Sequence, residues 1–194
     1  MPGRFFLIRD PALDGVTPPA PRHNIKPGEM IWTRTAAGPR EMRCGMIPVG
    51  RVKARGRPVM ETIINARSET VFDKSAFAGV GRAVVPADGW YEWTGEARRK
   101  TAWQITRKDG ALLWFAAIYD IWRAPGGMEV GQVATITCTP SADVRDIHDR
   151  MGVILTSDQV DTWVNGPQEA AADMMRPFPD GHLRVDTAKE IDLR

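Results

Sequence analysis

Residues 101–122 read TAWQITRKDGALLWFAAIYDIW. Two runs rich in aromatic and aliphatic residues flank Asp109-Gly110, a dipeptide suited to the positive φ of a tight turn. The stretch reads as a β-hairpin. Upstream, residues 82–93 (RAVVPADGWYEW) read as a strand, a turn at Pro86-Ala87-Asp88-Gly89 and a second strand. Downstream, 131–139 (GQVATITCT) is another strand, 140–152 (PSADVRDIHDRMG) is irregular, and 152–156 (GVILT) returns to strand.

Further out, FFLIR at 5–9, MIWTRT at 30–35 and EMRCGMI at 41–47 also read as strands. Between the first two, residues 10–29 hold five prolines, which remove ladder donors, so this segment is expected to be a surface loop without regular pairing. DKSAFAGVG (73–81) predicts a short helix ended by glycine. TSDQVDTWVNG (156–166) predicts a helix with a Thr156–Gln159 capping box and a stop at Gly166. A last helix over 167–176 and a last strand over 182–187 complete the reading. Many strands and few short helices predict an α+β, mainly β fold, with a curled, barrel-like sheet around a core and a few flanking helices. At 194 residues, a single domain over 1–194 is expected.

The net charge of +2 hides an asymmetry. Residues 1–57 carry +7 and the remainder −5. Arginine outnumbers lysine 20 to 6, and arginine's planar fork can grip phosphate in two places. In RVKARGR, Arg51, Lys53, Arg55 and Arg57 fall on every second residue, so an extended backbone would point them one way. This is either a phosphate-tracking edge or a solvated loop. Cys44 and Cys138 form neither a disulfide framework nor a CxxC pair, and His23, His148 and His182 are scattered, so no metal or cofactor is expected. There is no GxxxxGK[ST], HExxH or GxSxG motif. No apolar run approaches a bilayer span, and the start MPGRFFLIRD lacks the layout of a signal peptide, so a cytoplasmic monomer is expected.

Three polar clusters lie beside apolar strands. INARSET brings Asn65, Arg67 and Glu69 together, residue types that hold phosphate or sugar or build a polar turn. In ADGWYEW, an extended backbone puts Trp90 and Glu92 on one face and Tyr91 and Trp93 on the other. Aromatics around Glu92 favour desolvation, which raises a carboxyl pKa toward acid–base use; the alternative is a rim glutamate. In IHDRM, His148 stands beside Asp149 and Arg150, either a proton shuttle or a structural histidine.

NARSET, then VPADGWYEW, then IHDRM before an apolar strand, together with the GRF opening, resembles the SOS response-associated peptidase (SRAP) family, whose members process abasic sites in single-stranded DNA. The likeness runs to about residue 165. It implies a curled β-core, a groove for single-stranded DNA with abasic sites, and possible self-removal of Met1. It further implies that Arg4, Asn65, Arg67 and Arg150 bind DNA and the lesion, and that Glu92 and His148 assist proton transfers. In the family the exposed residue is cysteine, whose amine and thiol close a thiazolidine crosslink on the sugar aldehyde. Here the chain begins MPGR, so Pro2 stands in that place. Cys44 and Gly50 stand where family tryptophans are usual, and Gly152 replaces the proline of HxRMP.

Proline keeps an amine. With an α-amino pKa of about 8, roughly a tenth is neutral and nucleophilic near pH 7. A secondary amine and an aldehyde give an iminium, which hydrolyses or eliminates the 3′-phosphate. The leading reading is reversible Schiff-base or lyase chemistry at Pro2. The alternatives are a non-catalytic single-strand or lesion-binding module, and a thiol peptidase using Cys44 or Cys138 with His148.

Overall fold

The computed structural model describes residues 3–47, 62–96, 99–123 and 126–188. Thirteen strands and two short helices are found among them. The first sheet orders β13 (Leu183–Thr187), β8 (Thr101–Arg107), β7 (Gly89–Thr94), β1 (Phe5–Leu7) and β2 (Arg22–Ile25). The second contains β3 (Met30–Thr35), β4 (Gly38–Cys44), β6 (Gly81–Ala87), β9 (Leu113–Arg123) and β10 (Glu129–Cys138). Strand β10 pairs with β4 on one side and β9 on the other, so these five strands close into a ring. Closure removes the exposed edges that an open sheet would leave. The short strands β5 (Asn65–Arg67), β11 (Met151–Gly152) and β12 (Ile154–Leu155) attach to β10, β10 and β9 respectively. The mainly β, curled architecture expected from the sequence is therefore present.

The predicted hairpin over 101–122 is not one. The turn at Asp109-Gly110 forms, with Gly110 at φ 71°, and both strands exist. However, β8 pairs with β7 and β13, while β9 pairs with β6, β10 and β12. The turn passes the chain from one sheet to the other. Likewise the proposed four-residue turn at 86–89 shrinks to Asp88 alone, because β6 runs through Pro86 and Ala87. Asp88 is the corner at which the chain leaves the ring and enters the first sheet. Turn chemistry reports a change of direction and not which sheet receives the next strand.

Two smaller expectations also change. The proline-rich segment contributes a strand after all: β2 pairs with β1, Phe5 opposite Ile25. Its strand residues, RHNI, lie beyond the last proline of the PPAP run and are free to donate. The helix expected over 73–81 is a single 3-10 turn at Ser75–Phe77. The Thr156–Gln159 capping box forms around the 3-10 turn Ser157–Gln159, which leads directly into α1 (Val160–Asn165). Gly166 ends α1, and a Cβ there would stand 2.5 Å from the Thr162 carbonyl oxygen. Helix α2 (Gln168–Asp173) follows.

The interior is filled from the inward faces of the ring. Phe115, Ile118, Ile136, Met42 and Trp163 are essentially inaccessible, and full burial of such side chains is worth about 1.5–3 kcal/mol each. Trp163 also fastens α1 to the barrel, its Nε1 donating to the Ala83 carbonyl at 2.8 Å. Among the described residues no helix is long and apolar enough to cross a membrane.

Candidate functional site

The site begins where the chain enters the first sheet. Phe5 pairs with Trp90, and the Tyr91 N–H donates to the Arg4 carbonyl at 2.9 Å. One residue further along this antiparallel register, Gly3 comes level with Glu92. Asp88 locks the other end of the strand. Its buried carboxylate accepts the N–H groups of Ile8 (2.7 Å) and Arg9 (3.2 Å) and the Arg9 side chain, while its own N–H donates to the Phe6 carbonyl at 2.8 Å. Gly89 is required beside it, because a Cβ would sit 2.4 Å from the Ile105 carbonyl oxygen.

Strand β7 carries the carboxylate. Trp90 turns into the core, edge-on to Phe115 at 5.7 Å. Glu92 shares that direction and is only 4% exposed. Burial pushes its carboxyl up to about 7, and the nearby Asp149 carboxylate acts in the same sense. Near neutral pH such a group exists in both protonation states. On the other side of β7, Tyr91 lies 5.2 Å from the Phe6 ring and donates to the His23 carbonyl at 3.0 Å. The Arg4 guanidinium sits 6.0 Å from the Trp93 ring and bonds Asn24 Oδ1 at 3.2 Å.

The other residues gather at one end of β10. Strand β5 runs parallel to it, with Asn65 opposite Thr135 and Arg67 opposite Thr137. Asn65 Oδ1 accepts from the Thr135 hydroxyl at 2.6 Å. Arg67 is exposed. The loop after β10 carries His148, whose N–H bonds the Val144 carbonyl at 3.0 Å and whose Nδ1 stands 2.8 Å from Asp149 Oδ1. Burial lowers the His148 pKa and Asp149 raises it in opposition, with burial the stronger.

Arg150 is committed within the fold. Its guanidinium binds Glu69 through two bonds of 2.5 and 2.8 Å and donates to the Thr137 carbonyl at 2.5 Å. The Arg150 fork holds the Glu69 carboxyl down at about 2. Pro2 and the basic run 51–57 lie outside the described residues. Among the described residues flanking that segment, Met46 and Ile63 exchange backbone bonds of 2.8 and 2.7 Å. Both cysteines are buried, and burial pushes Cys44 up to about 11 and Cys138 up to about 12, which leaves neither poised as a thiolate nucleophile. Among the described residues no group of three or more His, Cys, Asp or Glu is placed to hold a metal ion. Asp149 and Trp93 belong to the clusters that the sequence singles out beside His148 and Glu92; Thr135 carried no signal of its own.

The family described as SOS response associated peptidase (SRAP) matches residues 8–190. The chain belongs to the SRAP family. The SRAP match begins beyond Pro2 and Arg4 and spans the strands that carry Asn65, Arg67 and Glu92 and the loop that carries His148. Relatives include the abasic site processing protein YoaM of Bacillus subtilis, 32% identical over 164 residues, covering 80% of this chain and 70% of that protein. The abasic site processing protein YedK of Escherichia coli is 30% identical over 149 residues, covering 75% of this chain and 65% of that protein. The mouse abasic site processing protein HMCES is 30% identical over 166 residues, covering 70% of this chain but only 47% of the mouse protein. In three dimensions, a phage-related protein of Bordetella bronchiseptica superposes with a TM-score of 0.75 at 25% identity, covering 97% of this chain and 94% of its own. A protein of Bacteroides thetaiotaomicron gives 0.76 at 24% identity, over 86% and 78% of the two chains, which establishes the shared fold.

Proposed function

We propose that the protein processes abasic sites in single-stranded DNA through the amine of Pro2, exposed once Met1 is removed. The observation that carries this reading is Glu92: a buried carboxyl with a pKa near 7, level with the point where the chain's start enters the sheet. The names of the relatives, all abasic site processing proteins, support the same substrate.

The ring-opened deoxyribose presents an aldehyde. The neutral Pro2 nitrogen adds to its carbon and forms a carbinolamine. Protonated Glu92 gives its proton to the departing hydroxyl, which leaves as water, and an iminium remains. Without a thiol no thiazolidine closes. The iminium either regains water and releases the aldehyde, or loses a C2′ proton to the Glu92 carboxylate while the C3′–O bond breaks and the 3′-phosphate departs. His148 is the partner in these proton transfers. Arg4, Asn65 and Arg67 hold the strand, and Arg150 contributes from behind by keeping the loops of Glu69 and His148 together.

The test is borohydride trapping on single-stranded DNA with one abasic site, read by intact mass and a denaturing gel. An adduct at Pro2 on a chain lacking Met1 is expected. Salt-sensitive binding with no adduct and no strand cleavage would instead leave a non-catalytic lesion-binding protein.

A further inference from the structure

Arg150 makes one contact that its side chain does not explain. Its backbone N–H donates to His148 Nδ1 at 3.0 Å. The Asp149 carboxylate stands 2.8 Å from the same nitrogen. One neutral imidazole cannot satisfy both. An N–H donor needs the Nδ1 lone pair, which places the ring proton on Nε2. A carboxylate needs Nδ1–H, which would leave Nε2 as a bare acceptor.

The two competitors differ in how firmly they are held. The Asp149 side chain is 90% exposed and free to exchange its contact for water. Arg150 is gripped from beyond the histidine loop: its side chain is 16% exposed, forked onto Glu69 and bonded to the Thr137 carbonyl. Glu69 itself lies two residues past the end of β5, whose backbone is laddered to β10, and the intervening Ser68 N–H donates to the Thr137 carbonyl at 2.8 Å. The grip therefore reaches from the lesion-binding strand to the loop of His148.

We infer that Glu69 is a positioning residue: by clamping the Arg150 side chain it holds the Arg150 N–H on His148 Nδ1 and keeps the neutral imidazole in its Nε2–H form. Its meaning for the reaction rests on the reading of His148 as a proton-transfer group. In that reading the resting neutral His148 presents its Nε2–H as a hydrogen-bond donor, and the role of base falls to Glu92.

The experiment is long-range 1H–15N correlation on the uniformly 15N-labelled full chain at a pH where His148 is neutral, which reports which ring nitrogen carries the proton. The chain has only three histidines, and His148→Ala assigns the relevant signal. Wild type is expected to show Nε2–H at His148. Glu69→Ala should lose that single form and show the Nδ1–H form as well, with the His23 and His182 signals unchanged as a check on folding. Glu69→Gln, which retains one acceptor for Arg150, should largely restore it. Wild type in the Nδ1–H form, or an unchanged His148 pattern in Glu69→Ala, overturns the inference. No DNA is needed, so a protein that fails to trap an abasic site but shows these spectra would refute the functional reading alone.

Discussion

Glu92→Gln should stabilise the protein, and more so as pH rises. Burial holds the folded-state pKa of Glu92 near 7 against an ordinary value of 4.5. Below 4.5 the group is protonated in both folded and unfolded chains and contributes no pH dependence. Between 4.5 and 7 the unfolded chain ionises while the folded one keeps its proton, so folding stability falls as pH rises; above 7 both are ionised and the loss is complete. A gap of about 2.5 units, at 1.36 kcal/mol per unit, makes that loss roughly 3 kcal/mol.

Glutamine has the shape of the protonated acid and no charge to bury. The stability of Glu92→Gln relative to wild type should therefore rise by about 3 kcal/mol between pH 4.5 and pH 8. For a chain of this size that is roughly 6–12 °C in melting temperature. Urea unfolding of both proteins at several pH values provides the measurement, and taking the difference cancels the opposing contribution of carboxylates such as Glu69, whose pKa is lowered. Parallel stability curves for the two proteins would refute the burial argument. A variant that became relatively less stable toward pH 8 would show that Glu92 is held ionised by partners instead. The same variant should lose borohydride trapping, the usual exchange of a strained functional group for stability.

Asp88→Ala should cost about 2–4 kcal/mol in urea unfolding, since it strands the Ile8 and Arg9 N–H groups that the carboxylate now accepts. Inserting one glycine after Gly3 moves the start of the chain by about 3.5 Å beyond its anchor and should cut trapping by about 100-fold with DNA affinity retained; unchanged trapping would show that the sheet does not position the amine. Arg67→Ala should weaken binding to single-stranded DNA and flatten its salt dependence by about one unit of slope, measured by fluorescence anisotropy. A thiol-specific chromogenic reagent at pH 8 should label Cys44 and Cys138 slowly in the folded protein and rapidly in urea, because both thiols are buried with raised pKa values.

Much of this architecture is written locally. The alternation in ATITC, the apolar run LWFAAI, the Thr156–Gln159 box and the Asp109-Gly110 turn all have short-range causes, and each appears where its residues predict. Pairing is another matter. Nothing local in TAWQITR distinguishes a partner across the turn from one in another sheet; that choice depends on what Trp90, Ile105 and Phe115 can bury together. The site divides similarly. Glu92 was legible because its aromatic neighbours forecast desolvation. The clasp of Arg150 on Glu69 was not, because nothing in the sequence brings together two residues 81 positions apart.

On the proposed reading, the arrangement separates two demands that a lesion-processing site places on one fold. Charged groups must be presented to a strand of phosphates, yet a carboxyl must be kept dry enough to hold its proton at neutral pH. The first sheet meets the second demand: Glu92 lies on the side of β7 that packs with Trp90, where it is buried. The ring meets the first at the end of β10, where Asn65 is bonded to Thr135 and Arg67 remains exposed. Neither sheet alone holds both. The chain's corner at Asp88 joins them, and the same carboxylate clasps Ile8 and Arg9, so the residue at the turn between the sheets also anchors the end of β1. In the proposed reaction the β1–β7 pairing, and not a side-chain rotamer, would aim a nucleophile carried on a backbone amine upstream of Gly3.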